Sequence, residues 1–122
     1  MLLNDLYTIE DIEVGAEMVR ATVFLEQQHP VLTGHFPGQP VLPGACQLQM
    51  VRELLSHATG KNCRLERGEQ IKFLTMVDPR QHPRLELQMK YSREAEDRLR
   101  VAAVVYAGGD VCLKLSGIFP AE

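Results

Sequence analysis

The sequence predicts an α+β fold in which one antiparallel sheet wraps around a single central helix. Three observations carry that expectation. Only one internal stretch shows apolar residues at helical spacing, whereas several others alternate with a period of two. Turn-forming residues separate the alternating stretches at short intervals. A sheet with one apolar face also needs a cover, and the one helix is the available element to provide it.

The first strand is read between Glu17 and Gln28, where Val19, Ala21, Val23 and Leu25 are apolar and Arg20, Thr22 and Glu26 are not. Met18 and Phe24 fall on its other face, which makes the alternation imperfect. His29 to Pro43 then carries prolines at 30, 37, 40 and 43 and is expected to be neither regular helix nor central strand. Gly44 to Ala58 is the helix. Projected at about 100° per residue, Leu48, Met50, Val51, Leu54, Leu55 and Ala58 share one broad face. Gln49, Arg52, Glu53 and Ser56 fall opposite, and Gln47 sits inside the apolar arc with no role beyond a buried hydrogen bond. Pro43 suits the helix start and Gly60 its end.

Beyond Gly60 the period becomes two. Ile71 to Val77 is apolar and strand-like. In Arg84 to Tyr91, Leu85, Leu87, Met89 and Tyr91 alternate with polar residues. Leu99, Val101, Ala103, Val105 and Ala107 form the next strand, and Val111, Leu113, Leu115 and Phe119 the last. Asp78-Pro79, Ser92 to Asp97 and Gly108-Gly109-Asp110 are the turns, the last a good hairpin signal.

Composition narrows the function classes. At 122 residues the chain is expected to be one domain, 1–122, because a second core would not fit comfortably. The net charge of −3 provides no overall field for nucleic acid or an anionic membrane. Arg80, Arg84, Arg93, Arg98 and Arg100 cluster late and leave open a local patch for an acidic partner, with solvated strand faces as the plainer reading. No apolar run approaches the roughly 20 residues of a membrane-spanning helix, and the acidic start MLLNDLYTIEDIE lacks the basic region of a signal peptide. Cys46, Cys63 and Cys112 have no CxxC spacing, which fits a reducing cytoplasm better than a disulfide framework. The four histidines show no metal-ligand spacing, so no metal or other cofactor is expected. Cys46, in the first helical turn, is read as a core filler ahead of a nucleophile.

The chemistry is expected in Gly34-His35-Phe36-Pro37-Gly38-Gln39-Pro40-Val41-Leu42-Pro43-Gly44. This stretch puts one imidazole on a stiff, proline-braced loop that runs into a helix N-terminus. Free backbone N–H groups there can stabilise a carbonyl oxygen gaining negative charge. A base beside such an oxyanion site is what proton abstraction next to a thioester carbonyl requires. A polyproline ligand is the weaker alternative, because folded-looking sequence flanks the segment on both sides.

HFPGQPVLPG resembles the active-site signature of the β-hydroxyacyl-acyl carrier protein dehydratases. The resemblance is dense over about ten positions and looser along most of the chain, including His29-Pro30, the helix, Ile71-Lys72-Phe73 and the last hairpin. It implies a hotdog fold, a curled sheet around one long helix. It implies an acyl thioester on acyl carrier protein or coenzyme A as substrate, and a homodimer, with higher assembly left open, whose subunits share each site. His35 then resembles the histidine that removes the α-proton, and Gly44 the glycine whose N–H polarises the thioester carbonyl. Phe36, Val41 and Phe73 are expected to line an apolar acyl tunnel. The family places a carboxylic acid fourteen positions after the histidine, and here that position is Gln49. A glutamine has no acidic proton to give. Glu53, one turn on, is the candidate substitute through a water. The readings are therefore a 3-hydroxyacyl thioester dehydratase of fatty-acid or related synthesis, a non-catalytic acyl-thioester binding or scaffolding subunit, and, more weakly, a hotdog thioesterase.

Overall fold

The computed structural model describes residues 1–34 and 38–122. Six strands form one sheet: β1 (Tyr7–Val14), β2 (Met18–Leu25), β3 (Arg67–Phe73), β4 (Arg84–Ala95), β5 (Arg98–Ala107) and β6 (Asp110–Pro120). Two helices, α1 (Pro30–Thr33) and α2 (Gly44–Thr59), lie between β2 and β3. The strand order is β1-β2-β4-β5-β6-β3 and every pairing is antiparallel. This is the α+β, helix-and-sheet arrangement that the periodicity predicts.

The core lies between α2 and one face of the sheet. Met50, Val51, Leu54 and Leu55 of α2 are fully buried, each gaining about 1.5–3 kcal/mol from leaving water. They share one cluster with Val19, Ala21, Val23 and Leu25 of β2 and with the inward residues of β4, β5 and β6. The alternation in those strands is a direct record of which side chains face the helix. Gly60 ends α2 at φ 71°, a left-handed conformation that glycine adopts without a Cβ penalty. Gly108 and Gly109, at φ 58° and 88°, close the β5–β6 hairpin as a turn with both central residues left-handed.

Four expectations need correction. β1 is absent from the sequence reading, because a bulge between Ile9 and Asp11 breaks its alternation and only Tyr7 on it is fully buried. β3 begins at Arg67 and ends at Phe73 instead of spanning Ile71 to Val77. All seven of its residues are exposed, so no face had to be apolar, while Val77 lies in the core and its carbonyl accepts the Leu42 N–H at 3.0 Å. β4 runs on through Ala95, past a bulge near Arg93, which shortens the expected Ser92–Asp97 turn. Among its described residues the proline-rich stretch contains one helical turn, α1. Pro30 fits its first position, and His29 caps it by accepting the Val31 N–H at 3.1 Å.

Candidate active site

The N-terminus of α2 is the centre of the candidate site. Pro43 caps the helix without any side-chain acceptor, so the N–H groups of the first turn rely on other partners. Among the described residues the Gly44 N–H has none. It stands at the positive end of a four-turn helix, where a carbonyl oxygen gaining charge is favoured. A side chain at Gly44 would collide with the Phe73 ring, whose Cε1 and Cζ would lie 2.7 Å from its Cβ. A larger residue at position 44 would therefore displace that half-exposed ring from the helix end.

A cleft of about 410 Å³ opens beside this helix end. Val41, Leu42, Pro43 and Gly44 form one wall, Phe73, Leu74 and Met76 another, and Gln47 completes it. Its lining is apolar apart from Gln47 and the exposed Thr75, as an acyl chain requires. Val41, Gly44 and Phe73, three of the residues singled out from sequence, thus border one space. His35 and Phe36 lie outside the described residues. A larger hollow of about 530 Å³, lined by Met18, Lys90, Tyr91 and Arg100 among others, contains none of the residues expected to form the acyl site.

Gln49 does not line the cleft. Its Nε2 donates to Glu53 Oε2 at 2.7 Å, and its Oε1 accepts from Arg52 at 3.4 Å. Glu53, projected onto the solvated side of the helix, is in fact buried, 4% exposed. Its carboxylate also accepts the Leu2 and Leu3 N–H groups, at 2.9 and 2.7 Å, and the Tyr7 hydroxyl at 3.1 Å. Burial alone would push this carboxyl up, but the four donors outweigh it and hold it below the usual carboxylate range. Glu53 is consequently an ionised structural anchor for the N-terminal segment, which corrects the expectation that it could supply a proton. The sequence hint was the apolar group Leu2, Leu3 and Leu6, which covers that side of the helix.

Gln47 is 3% exposed, and its Oε1, closed to water, has no hydrogen-bond donor among the described residues. Leaving a buried acceptor unpaired costs about 1–3 kcal/mol. The buried hydrogen bond expected from its place in the apolar arc is not made by this atom.

The remaining candidates resolve locally. Burial pushes the Cys46 thiol up, the opposite of an activated nucleophile. His29 is the cap of α1, with Nε2 3.2 Å from Asp5. Arg80 pairs with Asp78, Arg84 with Glu10, Arg98 with Glu66 and Asp97, and Arg100 with Glu69 and Glu94. The late arginines are largely neutralised by their own neighbours, and such exposed pairs contribute little stability. Among the described residues no cluster of three or more metal-ligating side chains occurs, and no helix is long and apolar enough to cross a membrane.

An antiparallel sheet packed on one long helix defines a hotdog-fold protein, and comparison with solved structures agrees. The chain is similar to a structure described as the dehydratase heterocomplex ApeI:P from Xenorhabdus doucetiae, with TM-score 0.71 and 19% identity over 92% of this chain and 96% of that one. It is also similar to Cj0977, a sigma28-regulated virulence protein from Campylobacter jejuni, with TM-score 0.72 and 12% identity over 96% and 84% of the two chains. At such identities these likenesses speak for the fold. Residues 11–109 match the family model for ApeI-like proteins, described as ApeI dehydratase, and the chain belongs to that dehydratase family. It is 29% identical to the 3-hydroxyacyl-[acyl-carrier-protein] dehydratase FabZ of Mannheimia succiniciproducens, over 84% of this chain and 72% of that protein. Haemophilus influenzae FabZ is 31% identical over 52% of this chain and 43% of its own length.

Proposed function

We propose that this protein acts on 3-hydroxyacyl thioesters, carried on acyl carrier protein or coenzyme A, and converts them to trans-2-enoyl thioesters. The observation that carries the reading is a Gly44 N–H with no partner among the described residues, beside an apolar cleft that Val41 to Gly44 of the HFPGQPVLPG segment help to line. The Gly44 N–H hydrogen-bonds the thioester carbonyl and so acidifies the α-carbon. His35 takes the α-proton. The electrons of that C–H bond form the new double bond as the β-carbon releases its hydroxyl, which leaves as water once it gains a proton.

That last proton sets the limit on rate. Gln49 has none to give and Glu53 is ionised, so the proton comes from solvent or from a second subunit. Losing a positioned general acid typically costs about 10²–10⁴ in rate. The chain is accordingly a slow dehydratase by itself.

The protein works as a homodimer in the cytoplasm. β3 occupies one edge of the sheet, and among the described residues it pairs with β6 alone, leaving its other edge open. Ile71, Phe73, Leu74 and Met76 are 40–70% exposed along that edge and the segment after it. A second copy covers both the open strand edge and this apolar surface, which isolated edge strands ordinarily avoid presenting.

One observation favours a second reading. The Gln49–Glu53 hydrogen bond consumes the helix position where the family signature expects an acid. A subunit built this way suits acyl-thioester binding or scaffolding beside another dehydratase chain that brings its own carboxylate.

Purified protein incubated with a 3-hydroxyacyl carrier substrate separates the two readings, with His35→Ala as control. Enoyl product that disappears in His35→Ala supports the dehydratase. Thioester binding with no product supports the binding subunit, and absence of both overturns the thioester assignment.

A further inference from the structure

We propose that His29 and Asp5 are positioning residues for the dehydration, holding α1 against the N-terminal turn that Glu53 fastens to α2. The inference rests on the dehydratase reading and adds to it two residues outside the cleft. In the chain, α1 ends at Thr33 and is followed by Gly34 and His35, while α2 begins at Gly44. The two helices thus bracket the stretch that carries the general base, and a short segment near the N-terminus joins them. Glu53 of α2 accepts the Leu2 and Leu3 N–H groups. The Asp5 and Leu6 N–H groups donate to the Leu2 carbonyl at 3.0 and 2.7 Å, which closes a tight turn with Leu6 fully buried. From that turn Asp5 Oδ2 stands 3.2 Å from His29 Nε2, and His29 Nδ1 accepts the Val31 N–H at 3.1 Å.

The choice of a histidine as cap is informative. Serine, threonine, aspartate and asparagine are the usual N-caps, and each would satisfy the Val31 N–H. A serine or threonine hydroxyl would have no atom left to reach Asp5, whereas an imidazole carries nitrogens on two sides of its ring. Because Nδ1 accepts, the ring proton sits on Nε2, the nitrogen that meets Asp5. One tautomer thus serves both contacts, and the His29 side chain is only 17% exposed. Helix α1 needs such support. With four residues it is a single turn, which is unfavourable without tertiary contacts. Leu32, fully buried, fixes it to the core at one point, and His29 fixes its start. The Asp5 contact is exposed on one side and adds little to global stability. Its effect falls on the orientation of α1, and so on the backbone that leads to the general base. A displacement of about 1 Å at such a group can cost about 10²-fold in rate.

The test compares the full chain with Asp5→Ala, Asp5→Asn, His29→Ala and His29→Asn. Steady-state dehydration of 3-hydroxyacyl pantetheine thioesters, melting temperature and amide hydrogen exchange are the three readouts. Asp5→Ala is expected to lower kcat by about tenfold or more while KM stays within about twofold, because the cleft itself is untouched. Asp5→Asn, whose Oδ1 still accepts from the imidazole, should recover most of that loss. His29→Asn keeps a cap on α1 without the link, so it should match wild type in melting temperature and Asp5→Ala in kcat. His29→Ala loses both contacts, and adding Asp5→Ala to it should cost nothing further, as expected of two members of one network. The Gly34 N–H bonds the Pro30 carbonyl at 2.9 Å within α1. It should exchange about tenfold faster in Asp5→Ala, with the Val51 and Leu54 amides of α2 unchanged.

Asp5→Ala with wild-type kcat, or with wild-type exchange at Gly34, overturns the proposal. A loss confined to KM assigns the pair to substrate binding and also overturns it. So does a kcat loss that follows the melting temperature through the variants or vanishes on cooling, because the pair is then structural only. If wild-type protein forms no enoyl product, the dehydratase reading fails and this inference with it. Exchange at Gly34 involves no substrate, so it tells that failure apart from a missing link between Asp5 and His29.

Discussion

Gln49 Nε2 lies 2.7 Å from Glu53 Oε2, which ties the position where the family signature expects an acid to the anchor of the N-terminal segment. Through Glu53 the same contact reaches the Leu2 and Leu3 amides and the Tyr7 hydroxyl. Whatever is done at residue 49 is therefore felt in the packing of residues 2–7 against α2, and the converse holds.

Glu53→Gln is expected to destabilise the fold by about 2–3 kcal/mol, because hydrogen bonds to a charged acceptor are replaced and one donor meets an amide NH₂. Urea unfolding at neutral pH measures this. A change under about 0.5 kcal/mol would show that the anchor is not needed.

The pH dependence has a definite sign. Because the folded-state carboxyl of Glu53 is held low, its contribution is fully present above the unfolded value of about 4.3. It is lost as pH falls from there through the folded value, where the unfolded chain takes up a proton first. Tyr7 behaves oppositely. Burial, and then the adjacent Glu53 charge and hydrogen bond, push its hydroxyl well up, so its contribution is present below about pH 10 and declines as pH rises beyond it. The stability difference between wild type and Glu53→Gln should thus be flat near neutrality and shrink in acid. Tyr7→Phe should flatten the alkaline limb. An acid limb unchanged by Glu53→Gln would contradict the assignment.

If each site of the dimer is shared between two copies, Gln49→Glu is expected to supply the missing acid to the neighbouring copy's cleft and so raise dehydratase turnover by about 10²-fold or more. The new carboxyl would meet Glu53 at hydrogen-bonding distance, and two carboxylates so close share a proton instead of both ionising. That raises the effective pKa of the pair and retains an acid near neutral pH. The same repulsion should lower the melting temperature, so activity and stability move in opposite directions. His35→Ala in that background should abolish the gain. Turnover that stays at background while thioester binding persists would favour the binding-subunit reading.

Ile71→Lys is expected to weaken dimerisation at least about tenfold, because a charge on an open edge opposes strand pairing. Sedimentation over a concentration series reads this directly. A wild-type protein that stays monomeric throughout would remove β3 as the interface.

Helix α2 and strands β2, β4, β5 and β6 were legible in the sequence because each buries one face against the core, and burial writes its period into the chain. The two edge strands were harder to read. β1 is interrupted by a bulge, and β3 has no buried face at all. The same contrast divides the candidate site. Val41 and Gly44 stand in a dense local motif, where proline, glycine and helix start act over a few residues. Phe73 had to be inferred from the family resemblance, and its contact with Gly44 spans the chain between α2 and β3.

By itself the sequence determined the helix, the inward faces of the inner strands, and the proline-braced entry to a helix terminus. These follow from steric and hydrophobic rules that act between near neighbours. Only the tertiary structure decided that Glu53 is buried and ionised, that Gln49 is bonded to it, and that Gln47 borders the cleft. Helical projection locates each of these side chains around the axis but says nothing of what packs there. Glu53 meets Leu2, 51 residues away, and a pairing at that distance leaves no periodic trace in either segment.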